Sequence, residues 1–246
     1  MSYTEHLSKD RKLKKLIEQH GEIKLSKRKN MALWLCRAIM SQQLSTKVAD
    51  VIYKRFLDLF GGAEPTFEHI ATLPFDKLRA IGLSNSKTQY ILNVAAFAAT
   101  HGMDDKRVGG MKDDELIAYL TQIKGVGKWT VEMQLMFTLA RPDVFSADDY
   151  GIQVAMTQLY NLDPTNRKQF KEDINRIASK WSPYRTYACM HLWRHKDTSR
   201  KPKVVEVKAA ANTSKVSTKK TVSKPVKKKS ATPVKKKAAT RPLKKR

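Results

Sequence analysis

LTQIKGVGKWTVEMQLMFTLARPDVFSADDYGI, Leu120 to Ile152, sets two glycines around one valine and then, further on, two aspartates side by side. A helical pattern from about Asp113 to Gln122 stops at this glycine pair and another begins near Lys128, so Gly125-Val126-Gly127 predicts a tight turn between two helices. Glycine permits backbone conformations and close approach that a β-carbon would forbid. At the start of the second helix the free amides lie at the positive end of the dipole, where a phosphate oxygen can sit. The last carbonyls of the first helix, from Thr121, Ile123 and Val126, face the same region and are candidates to hold a sodium or potassium ion bridging to that phosphate. Taken alone, Gly-x-Gly between helices also reads as a plain structural turn. A second turn, LRAIGLSNSKTQYI around Gly82, echoes the first.

The rest of residues 1–199 also reads as helix. LSTKVADVIYKRFLDLF has Ser45 as an N-cap and sets Leu44, Val48, Val51, Ile52, Phe56 and Leu59 at helical spacing before Gly61 and Gly62 stop it. Asp163-Pro164 reads as a cap and first-turn pair for a helix carrying Phe170, Ile174, Ile177 and Trp181, and Ser182-Pro183 repeats that start signal. No alternating apolar run supports a strand, so the fold class is all-α.

Charge narrows the partners. The chain has 48 Lys plus Arg against 23 Asp plus Glu, a net charge of +25, which points to a polyanion, nucleic acid first. Residues 200–246 hold 18 of the basic residues and one Glu, carry no aromatic residue and nearly repeat PVKKKSAT as PVKKKAAT. That composition predicts a disordered Lys-rich tail able to meet DNA phosphates non-specifically, leaving 1–199 as the folded domain. Cys36 and Cys189 stand too far apart for a zinc knuckle, and two thiols cannot hold an iron–sulfur cluster, so buried reduced thiols are expected. His191 and His195 have metal-binding spacing but lack a Glu-containing zinc motif or a third ligand, so no zinc is expected. The charged N-terminus lacks an apolar signal core, and MALWLCRAIM is interrupted by Arg37 and too short to span a bilayer. A membrane partner is therefore not expected, and the protein is expected inside the cell as a monomer, in the nucleoid or cytoplasm of a bacterium or the nucleus of a eukaryote.

LTQIKGVGKWTVEM, RPDVFSADDYGI and AIMSQQLSTKVA, with LRAIGLSNSKTQYI and WSPYRTYACMHLW in the same order, together resemble the helix-hairpin-helix DNA glycosylases, in particular the 3-methyladenine DNA glycosylase II (AlkA-like) branch. The resemblance covers roughly Met31 to His195. It implies two helical lobes with a cleft between them and double-stranded DNA carrying alkylated bases as the substrate. The family's catalytic carboxylate falls on Asp149, with Asp148 as a structural or capping neighbour. Asp149 also suits the start of a helix through Ile152 and Met156, where dipole and amides favour a carboxylate, although an ordinary N-cap would look the same.

The same resemblance places a base pocket on Trp129, Met133, Tyr150 and Trp193, a DNA wedge on Gln43 flanked by Gln42 and Leu44, and backbone contacts on Gly125, Val126, Gly127 and Lys128. Met133 stands where some relatives carry an aromatic residue. Trp129 and Met133 share a helix face and equally suit a core, and Trp34 is expected in the core, with a place on the pocket wall from the other lobe as its alternative. Relatives that also nick the strand carry a lysine where Trp129 stands, while Lys128 is displaced by one residue, about 100° around a helix, which implies a monofunctional enzyme. Glycosylases for deaminated or oxidised bases, and a non-catalytic DNA-binding protein of the same fold, are the alternatives.

Overall fold

Residues 1–199, the part of the chain that the computed structural model describes, form thirteen α-helices and no strand. The expectations for the tail at 200–246 lie outside the described residues. In chain order the helices are α1 (Tyr3–Leu7), α2 (Arg11–His20), α3 (Met31–Ser41), α4 (Thr46–Asp58), α5 (Phe67–Ala71), α6 (Phe75–Ala80), α7 (Asn85–His101), α8 (Asp105–Gly110), α9 (Asp113–Leu120), α10 (Lys128–Phe137), α11 (Tyr150–Tyr160), α12 (Arg167–Ser179) and α13 (Arg185–Ser199). They divide into two lobes. In one, α3 and α5 lie on α7, with α4 on α3, α6 on α7, and α10 against both α9 and α3. In the other, α11 packs on α13, α13 holds α2, and α1 rests on α2, so the first two helices of the chain complete the C-terminal lobe.

The apolar run MALWLCRAIM becomes α3, a core helix. Asn30 caps it by accepting from the Leu33 amide at 3.2 Å, and Met31, Ala32, Leu33, Leu35, Cys36, Ile39 and Met40 are all buried. The stripe left over, Trp34, Arg37, Ala38 and Ser41, follows the three-and-four spacing of one helix face and walls a cleft. Trp34 is thus half-buried at the cleft instead of in the core. No helix among the described residues is long and apolar enough to cross a membrane. Both cysteines are buried, which pushes the Cys36 thiol up to about 12.

Asp10 fastens α2 to the C-terminal lobe. Its Oδ1 accepts the amides of Lys12 (2.9 Å) and Leu13 (3.3 Å) as an N-cap, while Oδ2 accepts from the Tyr160 hydroxyl at 2.7 Å and the Trp181 indole at 3.2 Å. Trp181 is fully buried.

Several expected helix details shift. Ser45 does cap α4, accepting from the Val48 amide at 3.4 Å, but of the expected apolar stripe only Ile52 and Phe56 are buried, while Leu44, Val48 and Val51 are 40–46% exposed. α9 ends at Leu120 with Thr121 as C-cap. The cap of α12 is Asn166, because Asp163 instead bends back to accept from the Thr165 amide at 2.9 Å. Ser182 does not start α13; its hydroxyl donates to Asp143 at 2.8 Å, and the helix begins at Arg185.

Candidate active site

Gly125 is forced on the hairpin between α9 and α10. Its φ is +106°, and a β-carbon would lie 2.2 Å from the Tyr90 ring of α7. Asn93, also on α7, donates to the Lys124 carbonyl at 3.0 Å, while Ile123 and Val126 bury their side chains beneath the turn. Val126 therefore offers only backbone to a ligand, whereas Gly127 and Lys128 are exposed. Gly127 caps α10 without a side-chain hydrogen bond, so the first amides of α10 keep their capacity to bind an anion. The Ile123 carbonyl accepts from the Val126 amide at 2.9 Å, while the carbonyls of Thr121 and Val126 accept no backbone amide among the described residues. All three carbonyls therefore keep at least one free lone pair, the oxygen donor that a hard monovalent cation takes. No group of three or more His, Cys, Asp or Glu side chains that could hold a metal occurs among the described residues. His191 is buried with its Nδ1 3.4 Å from Nδ1 of His20.

The adjacent aspartates diverge. Asp148 is exposed and paired with Lys171 of α12 at 2.8 Å. Asp149 is 8% exposed and is the N-cap of α11. Its Oδ1 accepts from the Ile152 amide and the Trp193 indole, both at 2.8 Å, and its Oδ2 accepts from the Trp129 indole at 2.9 Å. One helix terminus and two rings from two different helices thus aim a single buried carboxylate. Gly151 makes the approach possible: a β-carbon there would meet Trp193 Cδ1 at 2.9 Å and Asp149 Oδ1 at 3.1 Å. Nothing local in the sequence marks Gly151, because its constraint comes from a ring 42 residues away.

The turn from α3 to α4 stands opposite α10. Lys87 closes the end of α3 by donating to the carbonyls of Met40 (2.9 Å) and Gln42 (2.6 Å), and burial lowers the pKa of its ammonium. Gln43 is left-handed, with φ +58°, which costs a non-glycine residue about 1–2 kcal/mol and thrusts its side chain outward beside exposed Leu44. Gln42, Gln43 and Leu44 line a cleft of about 590 Å³ together with Trp34, Trp129, Met133 and Phe137. Arg28 and Arg37 sit over the Trp34 ring at 4.1 and 5.1 Å and make that wall basic.

The four residues expected to form a base pocket do not share one cavity. Trp129 and Met133 line the cleft, Trp193 lines a neighbouring space of about 490 Å³, Phe137 borders both, and Tyr150 is 69% exposed. What unites Trp129 and Trp193 is the carboxylate between them. Lys128 pairs with buried Glu132 at 3.6 Å.

Residues 36–181 match the model of the HhH-GPD superfamily base excision DNA repair proteins. The DNA-3-methyladenine glycosylase 1 of Schizosaccharomyces pombe is 34% identical over 186 residues, 75% of this chain and 80% of that protein. A crystal structure of DNA-3-methyladenine glycosidase from Bacillus halodurans superimposes with a TM-score of 0.70 at 33% identity, covering 81% of this chain and 91% of that one. The S. pombe 3-methyladenine DNA glycosylase in complex with abasic DNA gives a TM-score of 0.70 at 34% identity, covering 80% and 97%. With hairpin, capped aspartate and two lobes in the family's order, the chain belongs to the HhH-GPD superfamily of base excision DNA repair proteins, as a DNA glycosylase of its 3-methyladenine branch.

Proposed function

We propose that this protein is a monofunctional DNA glycosylase that removes alkylated purines of the 3-methyladenine and 7-methylguanine type from duplex DNA. One observation carries the reading: the buried Asp149 carboxylate, aimed by the α11 terminus and by two indoles, beside a cleft with a basic wall. The named relatives, glycosylases of 3-methyladenine, support the substrate class.

The chemistry follows from charge. The target nucleotide leaves the stack, at about a few kcal/mol, least when damage has already weakened its pair. Gln43, strained outward between Gln42 and Leu44, enters the gap, while the α10 amides and Lys128 take backbone phosphate. The backbone carbonyls of Thr121, Ile123 and Val126 would hold a monovalent cation, which would add positive charge beside that phosphate. As the bond from C1′ to the base nitrogen breaks, the electron pair leaves with the base and positive charge builds on the sugar, where Asp149 stabilises it. Water then adds its oxygen to C1′ and gives up a proton. An N-alkylated purine is already cationic and departs neutral, so no strong general acid is needed, and electron-rich rings such as Trp129 favour it in the cleft. Trp129 holds the position at which strand-nicking relatives carry lysine, hence hydrolysis without a Schiff base.

The test is release of methylated bases from alkylated duplex DNA. Wild type is expected to release them, and Asp149→Asn to bind the same DNA while losing release by at least about a hundredfold. Release of hypoxanthine or oxidised bases in their place would move the substrate class. Equal release by Asp149→Asn would remove Asp149 from the centre.

A further inference from the structure

Glu132 has no part in the chemistry above, yet it is the carboxylate joining the two halves of the site. It lies on α10 one turn beyond Lys128, and its side chain is 7% exposed. Oε2 accepts a 2.5 Å hydrogen bond from the Ser146 hydroxyl, and Ser146 is itself fully buried. Oε1 faces the largely exposed Lys128 ammonium at 3.6 Å. Ser146 precedes Asp149 by three residues, and its carbonyl accepts the Asp149 amide at 3.2 Å. A short path of polar contacts therefore runs from the exposed edge of the hairpin to the loop that carries the catalytic carboxylate. Burying a carboxylate is unfavourable, and well-packed apolar residues replace buried ion pairs with little loss of stability. Stability alone does not explain a glutamate here.

We propose that Glu132 is a positioning residue for base excision. Through Ser146 it sets the loop bearing Asp149, and through Lys128 it registers that loop to the backbone phosphate gripped at the start of α10. The proposal rests on Asp149 being the carboxylate that faces the sugar. A phosphate at the hairpin shares the Lys128 ammonium with Glu132, so gripping the backbone and aiming the carboxylate become one event.

Two variants test it. Glu132→Gln keeps the shape and an acceptor for Ser146 but removes the charge facing Lys128, and Ser146→Ala removes the hydroxyl. Single-turnover release of a methylated base at saturating enzyme is measured beside the Kd for duplex DNA containing an abasic site. Each variant is expected to slow release about tenfold to a hundredfold, as for a misplacement near the reacting centre. Kd should stay within about twofold, and the double variant should be no slower than the slower single, since the residues act as a unit. Wild-type rates in both variants, additive losses, or a Kd that weakens in step with the rate would overturn the proposal. Should Glu132→Gln lose its thermal transition, Ser146→Ala decides alone, and a wild-type rate there is fatal. If wild type releases no methylated base, the substrate reading fails separately, and the indole N–H resonances of Trp129 and Trp193 decide instead. They should shift in both variants, and unchanged resonances would overturn the positioning role.

Discussion

Gly151 is where one missing methyl group decides the site. A β-carbon would press on Trp193 Cδ1 at 2.9 Å and on its Nε1 at 3.1 Å, and the ring cannot retreat without loosening its bond to Asp149. Gly151→Ala is therefore expected to slow single-turnover base release about tenfold to a hundredfold. The accompanying loss of stability, read from thermal melting, should be about 1–3 kcal/mol, as for an overpacked position. Normal release with a melting loss alone would show that Trp193 does not aim the carboxylate. At this scale the place of Asp149 as the N-cap of α11 was legible, because a helix-cap signal falls on it. Gly151, Glu132 and Ser146 were not, since their roles lie in partners 42 and 14 residues away. Trp34 stayed open between core and pocket wall because an aromatic in an apolar run suits either, and α3 keeps one stripe, Trp34 with it, for the cleft.

Among elements, the hairpin was the most legible. Its two glycines are nevertheless unequal. Gly125 has φ +106° and the Tyr90 ring 2.2 Å from where a β-carbon would sit, while Gly127 has φ −95° and open space. Gly125→Ala should cost at least about 1–2 kcal/mol from the backbone alone, more with the ring displaced. Gly127→Ala should cost less, about 0.5–1 kcal/mol, because alanine caps a helix more poorly than glycine. Denaturant midpoints for the two variants check this, and equal losses would mean that Tyr90 does not brace the turn. α4 shows what periodicity misses: Leu44, Val48 and Val51 repeat at helical spacing but remain exposed, because the spacing marks a shared face and not what covers it. The starts of α12 and α13 moved for a related reason. Asp163 and Ser182 found other partners, and a cap signal does not reveal competitors.

Across the whole molecule, two helical lobes were implied by the resemblance, but the docking of α1 and α2 on the C-terminal lobe was not, since nothing local in a sequence announces a partner so far along the chain. That docking brings His20 of α2 to His191 of α13, with Nε2 of each buried and without a hydrogen-bond partner among the described residues. Burial, with the neighbouring His20 and Arg194, holds His191 down at about 4. A histidine whose folded pKa lies below its unfolded value near 6.5 stabilises the fold fully above that value. The contribution is lost as pH falls from about 6.5 toward 4, amounting to about 3 kcal/mol at roughly 1.4 kcal/mol per unit. Denaturant unfolding at pH 7 and pH 4 should show this loss, and His191→Leu should reduce the difference by a like amount. An unchanged pH slope in that variant would place the acid sensitivity elsewhere.

The Trp129 indole bears on selectivity as well as shape. Before any DNA arrives it occupies one lone pair of Asp149 Oδ2, so the oxygen that the proposed reaction uses is held still in the resting protein. A carboxylate oxygen keeps a second lone pair, so this bond, about 1.5–3 kcal/mol for one to a charged group, persists in the proposed reaction while the sugar turns cationic. The negative charge is thus fixed in place before the substrate comes, and it favours only a nucleotide whose sugar is gaining positive charge. A sound base swung out by chance builds no such charge and draws nothing from it.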